Sequence, residues 1–213
     1  MIRSVVSMQT DHNKIFLRGR LAAPPSPSHS NHGVEYLMLP LAVRRLSGAE
    51  DTLHIVVSQD LLKGRSLETD SPLSVWGEVR TFNNRSGVGS RLVVSVFARE
   101  LDQEPGEDEN CLELTGTLCK PPILRATPLG RTICDMIVAS NRRYGRADYL
   151  PCISWGSLAY RCGSMTVGSR LSLAGRLQSR TYTKEVDGQV QERTAFEISV
   201  MSLTDPEEPY IAP

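Results

Sequence analysis

Leu112, Leu114, Gly116 and Leu118 alternate with Glu113, Thr115 and Thr117. A two-residue period of this kind marks a strand with one buried face. Downstream, residues 131–140, 149–155, 170–183 and 194–203 read as four further strands. Ser157–Cys162 reads as one short helix, stopped by Gly163. Asp187-Gly188 supplies a hairpin turn between the last two strands. The pattern therefore predicts strand, strand, strand, short helix, strand, strand.

The same order stands roughly 97 residues earlier. Phe16-Leu17-Arg18-Gly19-Arg20-Leu21-Ala22-Ala23-Pro24-Pro25 echoes Glu113-Leu114-Thr115-Gly116-Thr117-Leu118-Cys119-Lys120-Pro121-Pro122. Leu73-Ser74-Val75-Trp76-Gly77-Glu78-Val79 echoes Leu171-Ser172-Leu173-Ala174-Gly175-Arg176-Leu177. In the first copy Asp60-Leu61-Leu62-Lys63 is the helix and Gly64 its stop. The period is too long for a solenoid and implies two copies of one small domain. The strand order is that of a five-stranded Greek-key barrel, so the fold class is all-β, with two tandem OB folds. The expected boundaries are an N-terminal barrel at 1–99, an acidic linker at 100–109, a C-terminal barrel at 110–203 and a short acidic flexible tail at 204–213. Ala22–Gly33, rich in Pro, Ser and His, is expected as a loop between the first two strands, matching Cys119–Gly130 in the second copy.

Net charge is zero over 213 residues, which by itself speaks against a polyanion partner. Its distribution changes the picture. Glu100–Glu109 holds six acids and no base. Outside that segment and the tail, the first copy carries twelve bases against eight acids, and the second twelve against seven. Each barrel is mildly basic, and local field governs encounter more than the total. All five cysteines lie in the second half with no CxxC spacing, as expected of free thiols in a reducing cytoplasm. No apolar run is long enough for a membrane span, and Met1–Thr10 has no secretion signature. No nucleotide-binding, hydrolase or zinc-protease motif occurs, so no enzyme and no cofactor is expected. His29 and His32 have ligand-like spacing but no cysteine or acid beside them, so no metal is expected either.

The long strand from Arg170 carries the candidate chemistry. Leu171, Leu173 and Leu177 share the core-facing side, whereas Ser172, Ala174, Arg176, Gln178, Arg180 and Tyr182 share the other. Two cations, an amide and an aromatic in a row suit a flexible polyanion with stackable bases. Tyr149 and Trp155 lie an even number of residues apart on the third strand and face the same way, and Tyr144 follows Asn141-Arg142-Arg143 in the connector.

The ordered series Leu112–Leu118, Arg125–Gly130, Ile137–Tyr144, Asp148–Ala159, Gly168–Tyr182 and Thr194–Val200 resembles the bacterial single-stranded DNA-binding protein family, here in a tandem-OB variant. The resemblance places Tyr144, Tyr149, Trp155 and Tyr182 on the family's base-stacking positions. It places Arg125, Arg142, Arg143, Arg176 and Arg180 on or near its phosphate-contacting surface. It implies sequence-independent binding of single-stranded DNA in replication, recombination and repair, in the cytoplasm with the nucleoid. Three stacking positions are tyrosine where the family often has tryptophan. The ending Asp205-Pro206-Glu207-Glu208-Pro209-Tyr210-Ile211-Ala212-Pro213 is shorter than the family's partner-recruiting tail, which leaves binding of replication and repair proteins open.

Aligned on the repeat, the first copy has Leu46, Thr52, Ser58 and Asn84 against Tyr144, Tyr149, Trp155 and Tyr182, and Glu78 against Arg176. Its expected role is architectural, with Phe82, Arg80, Arg85 and Arg91 as residual capacity. The family assembles four OB folds, so two chains would make a homodimer of that count. Two alternatives stand beside this reading: a primosomal-type OB module that binds proteins and only weakly nucleic acid, and an RNA-binding OB protein.

Overall fold

A computed structural model of the chain describes residues 11–84, 90–186 and 188–204. The first barrel is built from β1 (Asn13–Leu21), β2 (Ser26–Asn31), β3 (Val34–Arg44), β4 (Glu50–Ser58), α1 (Gln59–Leu62), β5 (Pro72–Asn83) and β6 (Leu92–Asp102). The second repeats the plan with β7 (Glu109–Leu118), β8 (Ile123–Ala126), β9 (Thr132–Asn141), β10 (Ala147–Trp155), α2 (Ser157–Gly163), β11 (Arg170–Val186) and β12 (Gln189–Thr204). The chain is thus two tandem OB barrels, each with the predicted five strands and helix in order and one further strand.

Each barrel closes through its first strand. β1 pairs with β5 along Ile15–Arg20 and crosses to β3 at Arg20 and Leu21. β7 pairs with β11 along Leu112–Thr117 and crosses to β9 at Thr117 and Leu118. The crossing needs close backbone approach, which is why the repeat keeps a glycine there. A Cβ on Gly19 would lie 2.1 Å from the Ala42 carbonyl oxygen, and one on Gly116 2.6 Å from that of Ala139. Alternation sends Leu112, Leu114 and Leu118 inward with Leu150, Leu171, Leu173 and Leu177, all nearly inaccessible. Most of the buried apolar residues of both barrels form one connected cluster.

The barrels share a sheet. β1 pairs antiparallel with β7, from Asn13 opposite Leu114 to Arg18 opposite Glu109. Two first strands back to back give an approximate two-fold axis, and the side chains obey it. Asn13 brackets Val79, its Oδ1 accepting from the backbone N–H at 3.0 Å and its Nδ2 donating to the carbonyl at 2.9 Å. Asn110 brackets Leu177 in the same way at 3.0 and 2.7 Å. Asp11 accepts from the Asn141 N–H at 2.7 Å, and Asp108 from the Arg44 N–H at 2.6 Å.

Three expectations change. The linker is not a free acidic tether over 100–109: β6 runs to Asp102 with Leu101 buried, and β7 begins at Glu109. The intervening stretch is fastened, because Asp108 holds the first barrel and Gln103 Nε2 donates to the Ser66 carbonyl at 3.0 Å. The Ala22–Gly33 loop contains an exposed strand, β2, which pairs with β3, and Cys119–Gly130 likewise contains β8, paired with β9. Polar composition hid β2, since an edge strand open to water on its faces needs no apolar alternation, whereas β8 is mainly apolar but only four residues long and follows Pro121-Pro122. Asp187 of the hairpin turn, Arg85 and the tail from Asp205 lie outside the described residues.

Candidate nucleic-acid interface

The outer face of the second barrel is fixed by ladder register. Ile153 of β10 stands opposite Ser199 of β12, and Ser199 opposite Arg176 of β11. Gln178, Arg180 and Tyr182 pair with Glu197, Ala195 and Arg193. Trp155 pairs with Ile133 on β9, and Ile133 with Arg125 on β8. Side chains two residues apart on a strand point the same way. Tyr149, Trp155, Arg125, Arg176, Gln178, Arg180 and Tyr182 therefore share one face spanning five strands.

Exposure sorts these residues. Tyr149 is 53% and Trp155 40% exposed, large values for aromatics on a sheet. Trp155 ends β10, and the turn at Gly156 (φ 59°) carries the chain off into α2. Tyr182 is half-buried, with the Arg180 guanidinium carbon 5.5 Å above its ring centre. That cation–π contact holds a charge and a stacking surface together. Arg143 is exposed in a 3-10 turn, Arg143–Gly145, after β9. Arg125 is half-exposed and forks onto Asp135 at 2.5 and 3.2 Å, which offsets part of its charge. Arg176 is partly buried, and its Nε lacks a hydrogen-bond partner among the described residues. The side chain of Tyr144 lies outside what the structure describes.

Two candidates leave the set. Gln178 is 7% exposed, and its Nε2 donates to Glu197 at 3.1 Å. The bulge between Ala174 and Gly175 precedes it, and it packs under its neighbours instead of presenting itself to solvent. Arg142 is a junction residue. Its Nε donates to Asp148 Oδ2 at 2.5 Å, its Nη2 pairs with the other oxygen, and it reaches the Thr81 carbonyl of the first barrel at 3.3 Å. Sequence did not separate Arg142 from Arg143: the acid that engages Arg142, Asp148, is six residues on in the same barrel, and the Thr81 carbonyl that it also reaches comes from the other barrel.

Glu197 is the residue that sequence reading missed. It is 8% exposed, accepts from Gln178 and accepts from Arg180 Nε at 3.3 Å. It puts an acid inside a face that looked purely basic along β11. The signal for it was cross-strand pairing, which a single strand does not carry.

On the first barrel the matching cations are occupied. Arg80 bonds Asp148 at 3.0 Å and also pairs with Glu78, while Arg99 reaches Glu78 at 3.0 Å. Arg80 is therefore not available capacity but part of the junction. That junction carries two fully buried carboxylates, Asp51 and Asp148, beside the nearly buried Asp11. Asp51 accepts from Arg45 at 2.5 and 2.6 Å and from the backbone N–H and hydroxyl of Ser179, both at 2.7 Å. Burial by itself raises the Asp51 pKa, but bonds from Arg45 and Ser179 outweigh it and hold the carboxyl below its ordinary value. The face as a whole presents stacking rings beside partly neutralised arginines, an arrangement fit to hold single-stranded nucleic acid by ring and phosphate contacts.

Comparison with known proteins bears on this face. The model of the Single-strand binding protein family matches residues 109–204, the whole of the second barrel. The single-stranded DNA-binding protein of Paenarthrobacter nicotinovorans is 34% identical over 104 residues, which is 43% of this chain and 59% of that protein. Single-stranded DNA-binding protein A of Bacillus subtilis is 32% identical over 83 residues, 36% of this chain and 48% of that protein. The chain thus spans about half the length of the curated relatives it matches. Among solved structures, a deletion variant of the single-stranded DNA binding protein from Thermus aquaticus superposes with a TM-score of 0.74 at 25% identity. That match covers 95% of this chain and 98% of the other, so the likeness extends over both barrels.

Proposed function

We propose that the chain, whose residues 109–204 match the model of the Single-strand binding protein family, binds single-stranded DNA without sequence preference, chiefly through the second barrel. The observation that carries this is the shared outer face on which Tyr149 and Trp155 are 53% and 40% exposed and Arg180 overlies Tyr182. Stacking platforms are sequence-tolerant because every base has a π-face, and each contributes about 1–3 kcal/mol. Arg143, Arg125 and Arg180 add phosphate contacts, weakened at Arg125 and Arg180 by Asp135 and Glu197. The role is protection and organisation of exposed strands in replication, recombination and repair, beside the nucleoid in the cytoplasm. Binding needs no cofactor and no catalytic group.

The same reading includes a homodimer that brings four barrels together. Its support is the outer side of the β1–β7 junction. Phe16 and Trp76 lie ring to ring at 4.9 Å there, Trp76 is 38% exposed and Met201 68%. They line a shallow, mainly apolar hollow of about 880 Å³ shared by β1, β5, β6, β7, β11 and β12. A contiguous exposed apolar surface on an approximate two-fold axis suits a second copy of the chain.

The test is a fluorescence titration with oligo-dT and oligo-rU at low and high salt. The reading expects quenching with oligo-dT that weakens steeply as salt rises. Absence of binding at low salt would refute it, and preference for oligo-rU would turn it towards RNA.

A further inference from the structure

The first barrel lacks aromatics at the four stacking positions of the second, yet it is not bare. His29 of β2 stacks on Tyr36 of β3 at 4.8 Å and 10° between planes. Tyr36 meets Phe97 of β6 at 5.7 Å, and the Arg99 guanidinium carbon lies 4.9 Å over the Phe97 ring. Phe82 of β5 is 55% exposed. With Arg80, Thr81 and Val56 these residues line a groove of about 320 Å³, to which the second barrel adds Arg142.

Register identifies the face. In the first barrel Val56 of β4 stands opposite Phe97, and Phe97 opposite Glu78. Ile153, Ser199 and Arg176 form the same row in the second barrel. The groove therefore lies on the face that carries Tyr149 and Trp155 in the other copy. The aromatics have been moved on it, not lost. Trp155 pairs with Ile133 in the second barrel, whereas Ser58 pairs with Tyr36 in the first. The large ring has changed strand at one rung. Phe97 stands where the second barrel has Ser199, and Phe82 where it has Arg180.

The two faces also meet. The Tyr149 backbone N–H donates to the Thr81 hydroxyl at 3.0 Å, so the exposed Tyr149 adjoins the strand segment that next presents Phe82. Tyr149 and Phe82 thus sit on backbone segments that touch across the junction.

We propose that the groove of Phe82, Phe97, Tyr36 and His29 is a second stacking site, onto which a single DNA strand continues from the second barrel. The inference rests on the single-strand reading above. It also assigns the two sites different chemistry. Glu78 already engages Arg80 and Arg99, so this site works by stacking and adds little to counterion release. Its loss should weaken binding at all salt concentrations without changing the salt slope.

The experiment uses the full chain, as wild type, as Phe82→Ala, and as Phe82→Ala/Tyr36→Leu, where leucine keeps apolar contact with Phe97. Each is titrated with oligo-dT of about 8 and about 35 nucleotides, bracketing one OB site and several. On the long strand the double variant should lose about tenfold in affinity, occlude a shorter length and keep the wild-type salt slope. On the short strand it should match wild type. Phe82→Ala alone, at an exposed position, should show part of the same loss with unchanged thermal stability. Long-strand affinity and occluded length equal to wild type in both variants would overturn the inference while short-strand binding upheld the broader reading. Failure of wild type to bind either length would overturn both.

Discussion

Asp51 and Asp148, 97 positions apart, are fully buried counterparts that each cross the barrel junction to the backbone of the other barrel's long strand. Asp51 takes the Ser179 N–H at 2.7 Å, and Asp148 the Thr81 N–H at 2.6 Å. Each is clamped by an arginine six residues before it, Arg45 or Arg142. A buried ion pair is a weak source of net stability, but a buried carboxylate with its charge or its partner removed is costly. Asp148→Asn leaves Arg80 and Arg142 facing a neutral amide. It should lower unfolding free energy by about 3 kcal/mol in denaturant titration, and Arg142→Ala should act similarly. A change below about 0.5 kcal/mol would deny the junction its structural role.

The same network gives a pH dependence. The Asp51 carboxyl is held below its ordinary value in the folded chain. Its contribution is complete above the unfolded value of about 3.9 and is lost as pH falls through the folded value. Stability should therefore decline as pH drops below about 4, and Asp51→Asn should flatten that decline. Denaturant midpoints measured from pH 6 down to pH 3 check it. A decline of equal steepness in the variant would show that other groups govern acid unfolding.

Glu197 restrains the candidate face. Removing its charge frees Arg180 from an acid 3.3 Å away and makes the face more positive. Glu197→Gln keeps an acceptor for Gln178. It should raise affinity for oligo-dT severalfold at low salt, with the gain shrinking as salt rises. Unaltered affinity at low salt would mean that Arg180 does not meet phosphate.

Assembly is tested at Trp76. A carboxylate at that exposed position on the apolar hollow should separate copies of the chain. Wild type is expected near 47 kDa, twice the 23.5 kDa of one chain, and Trp76→Glu near 23.5 kDa by sedimentation equilibrium. A wild-type monomer would contradict the homodimer.

Some of this was legible in the sequence, and the reason is locality. Alternation along Leu112–Leu118, the stop at Gly64 and the repeat of Gly19 at Gly116 are short-range signals, and they gave strand order, helix position and both barrels, although α2 runs through Gly163, the expected stop, to a cap at Ser164. The exposed Tyr149 and Trp155 follow from parity on one strand. What escaped depends on pairing between distant segments. Nothing near Arg142 announces Thr81, nothing near Gln178 announces Glu197, and Asp51 meets Ser179 only because β1 pairs with β7. The first barrel's aromatic set escaped for a related reason. Aligning copies position by position finds Ser58 where Trp155 stands and stops there, whereas the ring had moved one strand over, to Tyr36.

The most direct test of the central claim is titration of wild type and Tyr149→Ala/Tyr182→Ala with oligo-dT at low salt, followed by fluorescence of Trp155. Two stacking platforms at about 1–3 kcal/mol each predict a loss of about thirtyfold or more in the double variant, with its thermal unfolding unchanged. Affinity equal to wild type would contradict the account and remove the second barrel's outer face as the main DNA platform.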